Sequence, residues 1–185
     1  MRIISGKHKS RRINAPKNLP VRPTTDMAKE SLFNILNNQY YFDELSILDL
    51  FAGTGNISYE FGSRGSQQIT AVDADFGCIR FIDKIAKELE LNITALKSDA
   101  FAYLEKTTLK NDLIFADPPY SMALERFERI SELVFKNELL LKDGTLIIEH
   151  AKQMDLSHLE HFTNQRKYGG SVFSFFRAET EDSSK

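Results

Sequence analysis

The chain has 185 residues but a single cysteine, no tryptophan, and no acidic residue before Asp26. Cys78 alone excludes an internal disulfide and any multi-thiolate metal site. His8, His150, His158 and His161 lack the spacing of metal ligands, and no metal is expected. No stretch approaches the ~20 apolar residues that span a bilayer, so no membrane association is expected. The start, MRIISGKHKSRR, has no apolar run of the signal-peptide kind, which makes cytoplasmic residence the expectation. Internal repeats and low-complexity tracts are absent as well.

What is present is an ordinary globular composition, 42% hydrophobic and 27% charged, enough for one domain with a real core. The net charge of −2 hides an asymmetry. Seven of the 24 bases fall in residues 1–23, leaving 17 against 26 acids in the remainder, a net of −9. The expected organisation is a basic arm over 1–23, a main domain over 24–178 and a polar tail over 179–185. A basic arm on an acidic body fits a polyanionic partner held at one end, with Arg2, Lys7, Lys9, Arg11, Arg12 and Arg22 as candidate nucleic-acid contacts. A solvated tail would carry the same charge run.

The arm alternates around Ser5–Ser10 and reads as a β-hairpin. Pro16, Pro20 and Pro23 then keep the chain extended. Thr24-Thr25-Asp26 offers N-cap residues for a helix whose apolar positions are Met27, Ala28, Leu32, Ile35 and Leu36. Short apolar runs follow at Ile47–Phe51, Ile69–Val72, Ile93–Leu96, Leu113–Ala116 and Leu146–Ile148, as in parallel strands buried on both faces. Helical stripes lie between them, Ile79/Ile82/Ala86/Leu89 and Leu124/Phe127/Ile130/Val134. His161–Tyr168, Gly169-Gly170 and Ser171–Ala178 read as a closing antiparallel hairpin. The alternation predicts an α/β, Rossmann-like, mostly parallel seven-stranded sheet.

Ligands of such sheets bind beyond the carboxyl ends of the strands. Those ends carry Asp49, Asp73, Asp99, Asp117 and Glu149 in turn. Gly53 and Gly55, after Phe51, permit a tight turn and close backbone approach. Ser58 occupies the place of the third glycine of a dinucleotide fingerprint, and a ring of carboxylates repels a pyrophosphate. S-adenosylmethionine has no phosphate and two positive groups. Asp49 is placed for its ammonium, Asp73 (18 residues beyond Gly55) for its ribose hydroxyls, and Asp99, followed by Ala100, for its adenine.

Asp117-Pro118-Pro119-Tyr120 is the sharpest signal. Two prolines remove two N–H donors and stiffen the carbonyls. An exocyclic amino group on a nucleobase is a poor nucleophile. It becomes a better one if the Asp117 carboxylate and the Pro118 carbonyl hold its two N–H bonds and aim the lone pair. Tyr120 offers a ring for an unstacked base. Glu149 either orients the site or is an ordinary strand-end acid, and Cys78, on an apolar stripe, is read as packing.

The order RPTTD, LDLFAGTG, DPPY behind MRIISGKHKSRR resembles the bacterial RsmD family over residues 1–178. The resemblance implies a class I S-adenosylmethionine-dependent methyltransferase that modifies guanine N2, at the 966-equivalent position, in 16S ribosomal RNA of the small subunit. It implies Gly53 and Gly55 at the cofactor loop, Asp73 at the ribose, Asp99 at the adenine and Asp117–Tyr120 at the target base. Ser63-Arg64-Gly65 and Tyr168-Gly169 match the family pattern, whereas Ser58, Tyr59 and Phe61 depart from it. Three other readings stay open on the residues alone: an adenine-N6 methyltransferase on RNA or DNA, a methyltransferase of small molecules or proteins, and a non-catalytic nucleotide or RNA-binding module.

Overall fold

The computed structural model describes residues 1–16, 19 and 24–178. Lys17, Pro20, Arg22 and Pro23, and the tail at 179–185, lie outside the described residues. Among the described residues five α-helices, α1 (Asp26–Asn37), α2 (Asn56–Ser63), α3 (Phe76–Glu88), α4 (Ala100–Lys106) and α5 (Leu124–Lys136), alternate with seven strands. The strands are β1 (Ser46–Leu50), β2 (Gln68–Asp73), β3 (Ile93–Lys97), β4 (Asn111–Ala116), β5 (Leu140–Ala151), β6 (Phe162–Tyr168) and β7 (Ser171–Phe176). They form one sheet in the order β3-β2-β1-β4-β5-β7-β6. The first five are parallel, and β7 runs antiparallel between β5 and β6. This is the predicted doubly wound architecture with its closing hairpin.

Successive residues of each central strand serve opposite faces. Leu48, Leu50, Ile114, Ala116, Leu146 and Ile148 pack on α4 and α5. Ile47, Leu113, Phe115 and Ile147 pack on α1 and α2. The strand order reverses between β1, which continues to β2, and β4, which lies on its other side. A crevice therefore opens beyond the ends of β1 and β4, as the physics of such sheets dictates.

Some elements differ from the sequence reading. β3 is an edge strand, so its residues are half-buried or exposed rather than enclosed on both faces. β5 runs on past Ile148, which puts Glu149 inside a strand instead of at its end. Met27 keeps helical register but faces solvent at 71% exposure. The N-terminal arm folds back on itself as a short antiparallel pair: Arg2 bridges Arg12, and the Ile3 and Ile13 N–H groups donate to Arg11 O and Met1 O, each at 3.0 Å. It is also no loose tail. Ile3 and Ile13 are buried with Tyr59, Ile82 and Ile85 against α2 and α3. That packing explains why every residue of α2 is buried: the sheet covers one side and the arm the other.

Candidate cofactor and base cleft

A cleft of about 520 Å³ lies at the reversal point, within the size range of small-molecule sites. Asp49, Phe51, Gly53, Asp73, Asp99, Ala100, Asp117, Pro118, Pro119 and Tyr120 all line it. Gly55 sits just behind, as N-cap of α2 with φ +81°. A Cβ there would meet Tyr59 Cζ at 2.7 Å, so the turn admits only glycine without displacing that ring. Phe51 has φ +60°, a left-handed conformation that a bulky side chain adopts only under constraint. Its ring meets Phe101 edge-on at 6.1 Å.

The loop is held by Asp73. One of its carboxylate oxygens accepts the Gly53 N–H at 2.8 Å and the other the Asp75 N–H at 2.8 Å. Asp49 is 2% exposed and accepts from both the Ser58 N–H and the Ser58 hydroxyl, at 3.1 and 2.6 Å. Burial pushes its carboxyl up to about 7; the Ser58 bonds oppose the shift and Asp73 adds to it. Asp99 caps α4, accepting the Ala102 N–H at 3.0 Å. The Asp117 N–H continues the sheet edge onto Leu50 O at 3.3 Å, and Met122 N–H closes the turn onto Pro119 O at 2.8 Å. Tyr120, 40% exposed, stands at the mouth with its hydroxyl 2.9 Å from Ser171 Oγ and 3.4 Å from Glu149 Oε1.

Several lining residues carry no chemical signature in the sequence. Thr24 reads there as a helix-start residue and Ser171 as the first residue of a strand, and Asn56 draws no reading at all. Their cleft positions come from tertiary placement. Thr24 Oγ1 donates to Glu149 Oε2 at 2.9 Å. Glu149 is thereby drawn into the site, 2% exposed. Cys78 also touches the cleft, but it is fully buried, and burial pushes its thiol up to about 12. A thiol in that state is inert packing, as expected. His150 is a core residue, its Nε2 2.8 Å from Ser174 Oγ, with burial lowering its basicity.

The donor set fits a cationic, phosphate-free ligand. Six carboxylates (Asp49, Asp73, Asp75, Asp99, Asp117 and Glu149) line the cleft, against one described basic side chain, Arg126. That guanidinium already lies 4.1 Å over the Phe101 ring.

Of the arm's candidate contacts, three make exposed ion pairs: Arg2 with Asp26 at 3.2 Å, Lys7 with Glu90 at 3.2 Å, and Arg11 with Glu88. Lys9 and Arg12 are exposed and make no ion pair among the described residues. Arg22 lies outside them. Among the described residues no helix is long and apolar enough to cross a membrane.

Residues 1–177 match the family described as "Conserved hypothetical protein 95". Ribosomal RNA small subunit methyltransferase D of Buchnera aphidicola subsp. Acyrthosiphon pisum is 32% identical over 168 residues, covering 89% of this chain and 85% of that protein. The solved yhhF chain of Escherichia coli superposes with a TM-score of 0.85 over 98% of this chain and 99% of its own, at 23% identity. A 16S rRNA N2 G1207 methyltransferase (RsmC) from T. thermophilus, solved with AdoMet and guanosine, shares the fold. Its TM-score is 0.68 at 18% identity, over 87% of this chain and 45% of its own. With the glycine loop, the acidic strand ends and the DPPY turn in one cleft, and with a family match spanning arm and domain alike, the chain belongs to the RsmD family of ribosomal RNA small subunit methyltransferases.

Proposed function

We propose that the protein transfers a methyl group from S-adenosylmethionine to the N2 amino group of one guanine, the 966-equivalent, in 16S ribosomal RNA of the small subunit. The observation that carries this reading is the convergence of six carboxylates and the Asp117–Tyr120 turn in one cleft, with a basic arm packed on the same molecule. The bound donor supplies a methyl group on a sulfonium, which needs no metal or nucleophilic side chain.

The residues do the positioning. Asp49, ionised, accepts the ammonium, and Asp73 uses its remaining lone pairs on the ribose hydroxyls. Asp99 and Ala100 meet the adenine, and Phe51 walls the methionine end. The Asp117 carboxylate and the Pro118 carbonyl accept the two N–H bonds of the target amino group. Positive charge developing on nitrogen is stabilised there, and the lone pair points along the transfer line. Tyr120 stacks on the unstacked base, a contact worth ~1–3 kcal/mol. Lys9, Arg12 and the ion-paired bases of the arm, with Arg22, meet phosphates. No large insertion reads sequence, which favours recognition by shape and loop geometry.

Asp117→Ala tests the assignment, with labelled methyl incorporation into unmodified small subunits as the readout. Loss of a preorganised acceptor of this kind is expected to lower turnover by about 100-fold or more. Unchanged incorporation removes Asp117 from the mechanism. Digestion of the product to nucleosides identifies the base: N6-methyladenosine in place of N2-methylguanosine overturns the guanine assignment, and donor binding with no product on any RNA turns the protein into a binding module.

A further inference from the structure

A row of buried polar contacts runs from the arm to the mouth of the cleft. Glu60, fully buried, accepts the Ile4 and Ser5 N–H groups of the arm at 2.8 and 3.1 Å. Lys29, also fully buried, lies 3.4 Å from Glu60 and donates to Arg2 O at 2.6 Å and Asn56 Oδ1 at 2.8 Å. Asn56 donates to Thr24 O at 3.1 Å. Thr24 donates its hydroxyl proton to Glu149, and Glu149 accepts the Tyr120 hydroxyl.

The Thr24 hydroxyl is not spent on the helix. The N-cap of α1 is Thr25, whose side chain accepts the Ala28 N–H. Thr24 is 8% exposed, and its hydroxyl's one described partner is Glu149. Glu149 carries Thr24 on one oxygen and Tyr120 on the other. A buried carboxylate gripped in this way has a fixed direction. The ring it restrains is the one that receives the base.

We infer that Thr24 is a positioning residue for the methyl transfer. Through Glu149 it sets the orientation of Tyr120, and through Asn56 and Lys29 it is anchored to the seat of the basic arm. The inference rests on the guanine methyltransferase reading above. Its consequence is that Thr24 governs turnover on RNA without touching donor affinity, because it orients the base-receiving side of the cleft and not the donor's carboxylates.

The test uses Thr24→Val, which keeps the shape and removes the donor, with Thr24→Ser as the conservative rescue. Donor binding is measured by calorimetry, and turnover on unmodified small subunits with labelled S-adenosylmethionine. Thr24→Val is expected to lower kcat about tenfold with donor Kd within twofold of wild type, and Thr24→Ser to restore kcat to within about twofold. Tyr120→Phe, which keeps the ring and loses the hydroxyl with its contacts to Glu149 and Ser171, is expected to be at least as slow as Thr24→Val. Because both variants cut one brace, the double variant is expected to be no slower than the slower single. Wild-type kcat in Thr24→Val, or losses that multiply in the double variant, overturns the inference. Should Thr24→Val not fold, Tyr120→Phe carries the test at an exposed ring, and unchanged kcat there overturns the inference equally. An inactive wild type on small subunits instead refutes the underlying reading, so the two failures are distinguishable.

Discussion

Asp49 concentrates the chemistry of the cleft in one carboxyl. It is buried without a cation among the described residues, and burial raises its pKa from 3.8 to about 7. The sign of the linkage follows. In the empty protein the raised value means that Asp49 contributes stability below the unfolded pKa, and that this contribution is lost as pH rises toward 7. A bound ammonium reverses the preference, since it needs the ionised form. Donor affinity is therefore expected to weaken as pH falls below about 7, approaching tenfold per unit, with Asp49→Asn binding weakly and without that slope. Calorimetric titrations between pH 5.5 and 7.5 check this, and a flat wild-type profile would remove Asp49 from donor binding. Ser58, which departs from the family pattern and from a dinucleotide fingerprint, gains a physical role here. Its hydroxyl and N–H are both committed to the same Asp49 oxygen, which favours the ionised form.

At the scale of elements, α2 and the arm form one unit. A helix buried all round needs partners on its outer side, and the arm supplies them through Glu60, Ser63 and the apolar pair Ile3 and Ile13. Tyr59 is bulky for this reason and fills the space beneath the arm. Phe61 instead packs against the tilted rings of Phe33 and Phe42, at 4.6 and 5.9 Å. Arg64 covers the same rings while bonding Glu60 at 2.9 Å. The arm turns tightly over the end of α2 at Gly6, with φ +83°; a Cβ there would lie 1.8 Å from Ser63 O. Gly6→Ala must therefore lift the arm. A cost of roughly 2–3 kcal/mol is expected, which for a chain of this size lowers Tm by at least about 4 °C. Gly170→Ala, with nothing within 4 Å of the added methyl, serves as the neutral control. Equal melting of the two would mean that the arm is not seated as described.

Across the whole molecule, charge is sorted by face. Lys7 and Arg11 pair with Glu90 and Glu88 near the C-terminal end of α3, whereas Asp75 at its N-terminal end lines the cleft. A helix of 13 residues is roughly 20 Å long, so the arm extends well away from the cleft while Arg2 pairs with Asp26 beside it. Bases already paired in exposed bridges lose an intramolecular partner on meeting a phosphate, at small cost in either direction. Lys9 and Arg12 have no such pair among the described residues and are expected to dominate the salt dependence. Replacing both with alanine should lower the slope of log affinity for small-subunit RNA against log salt by about 1.4–1.8. A slope equal to that of wild type would assign RNA binding to another surface.

Much of this protein is decided by local residue order. Apolar runs broken by helical stripes suffice for the parallel sheet, because β-runs and 3.6-residue periods each need the other's apolar face. Asp73, Asp117 and the glycine turn are legible because strand ends are where such sheets bind. Tertiary structure alone decided four things. It made β3 an edge and carried Glu149 inward within β5. It turned a basic stretch, readable as a solvated tail, into the cover of α2. It gave Thr24, two residues ahead of a helix, a carboxylate 125 positions away to hold. Each of these depends on which distant segment covers a given side chain, and residue spacing along one stretch carries no information about that.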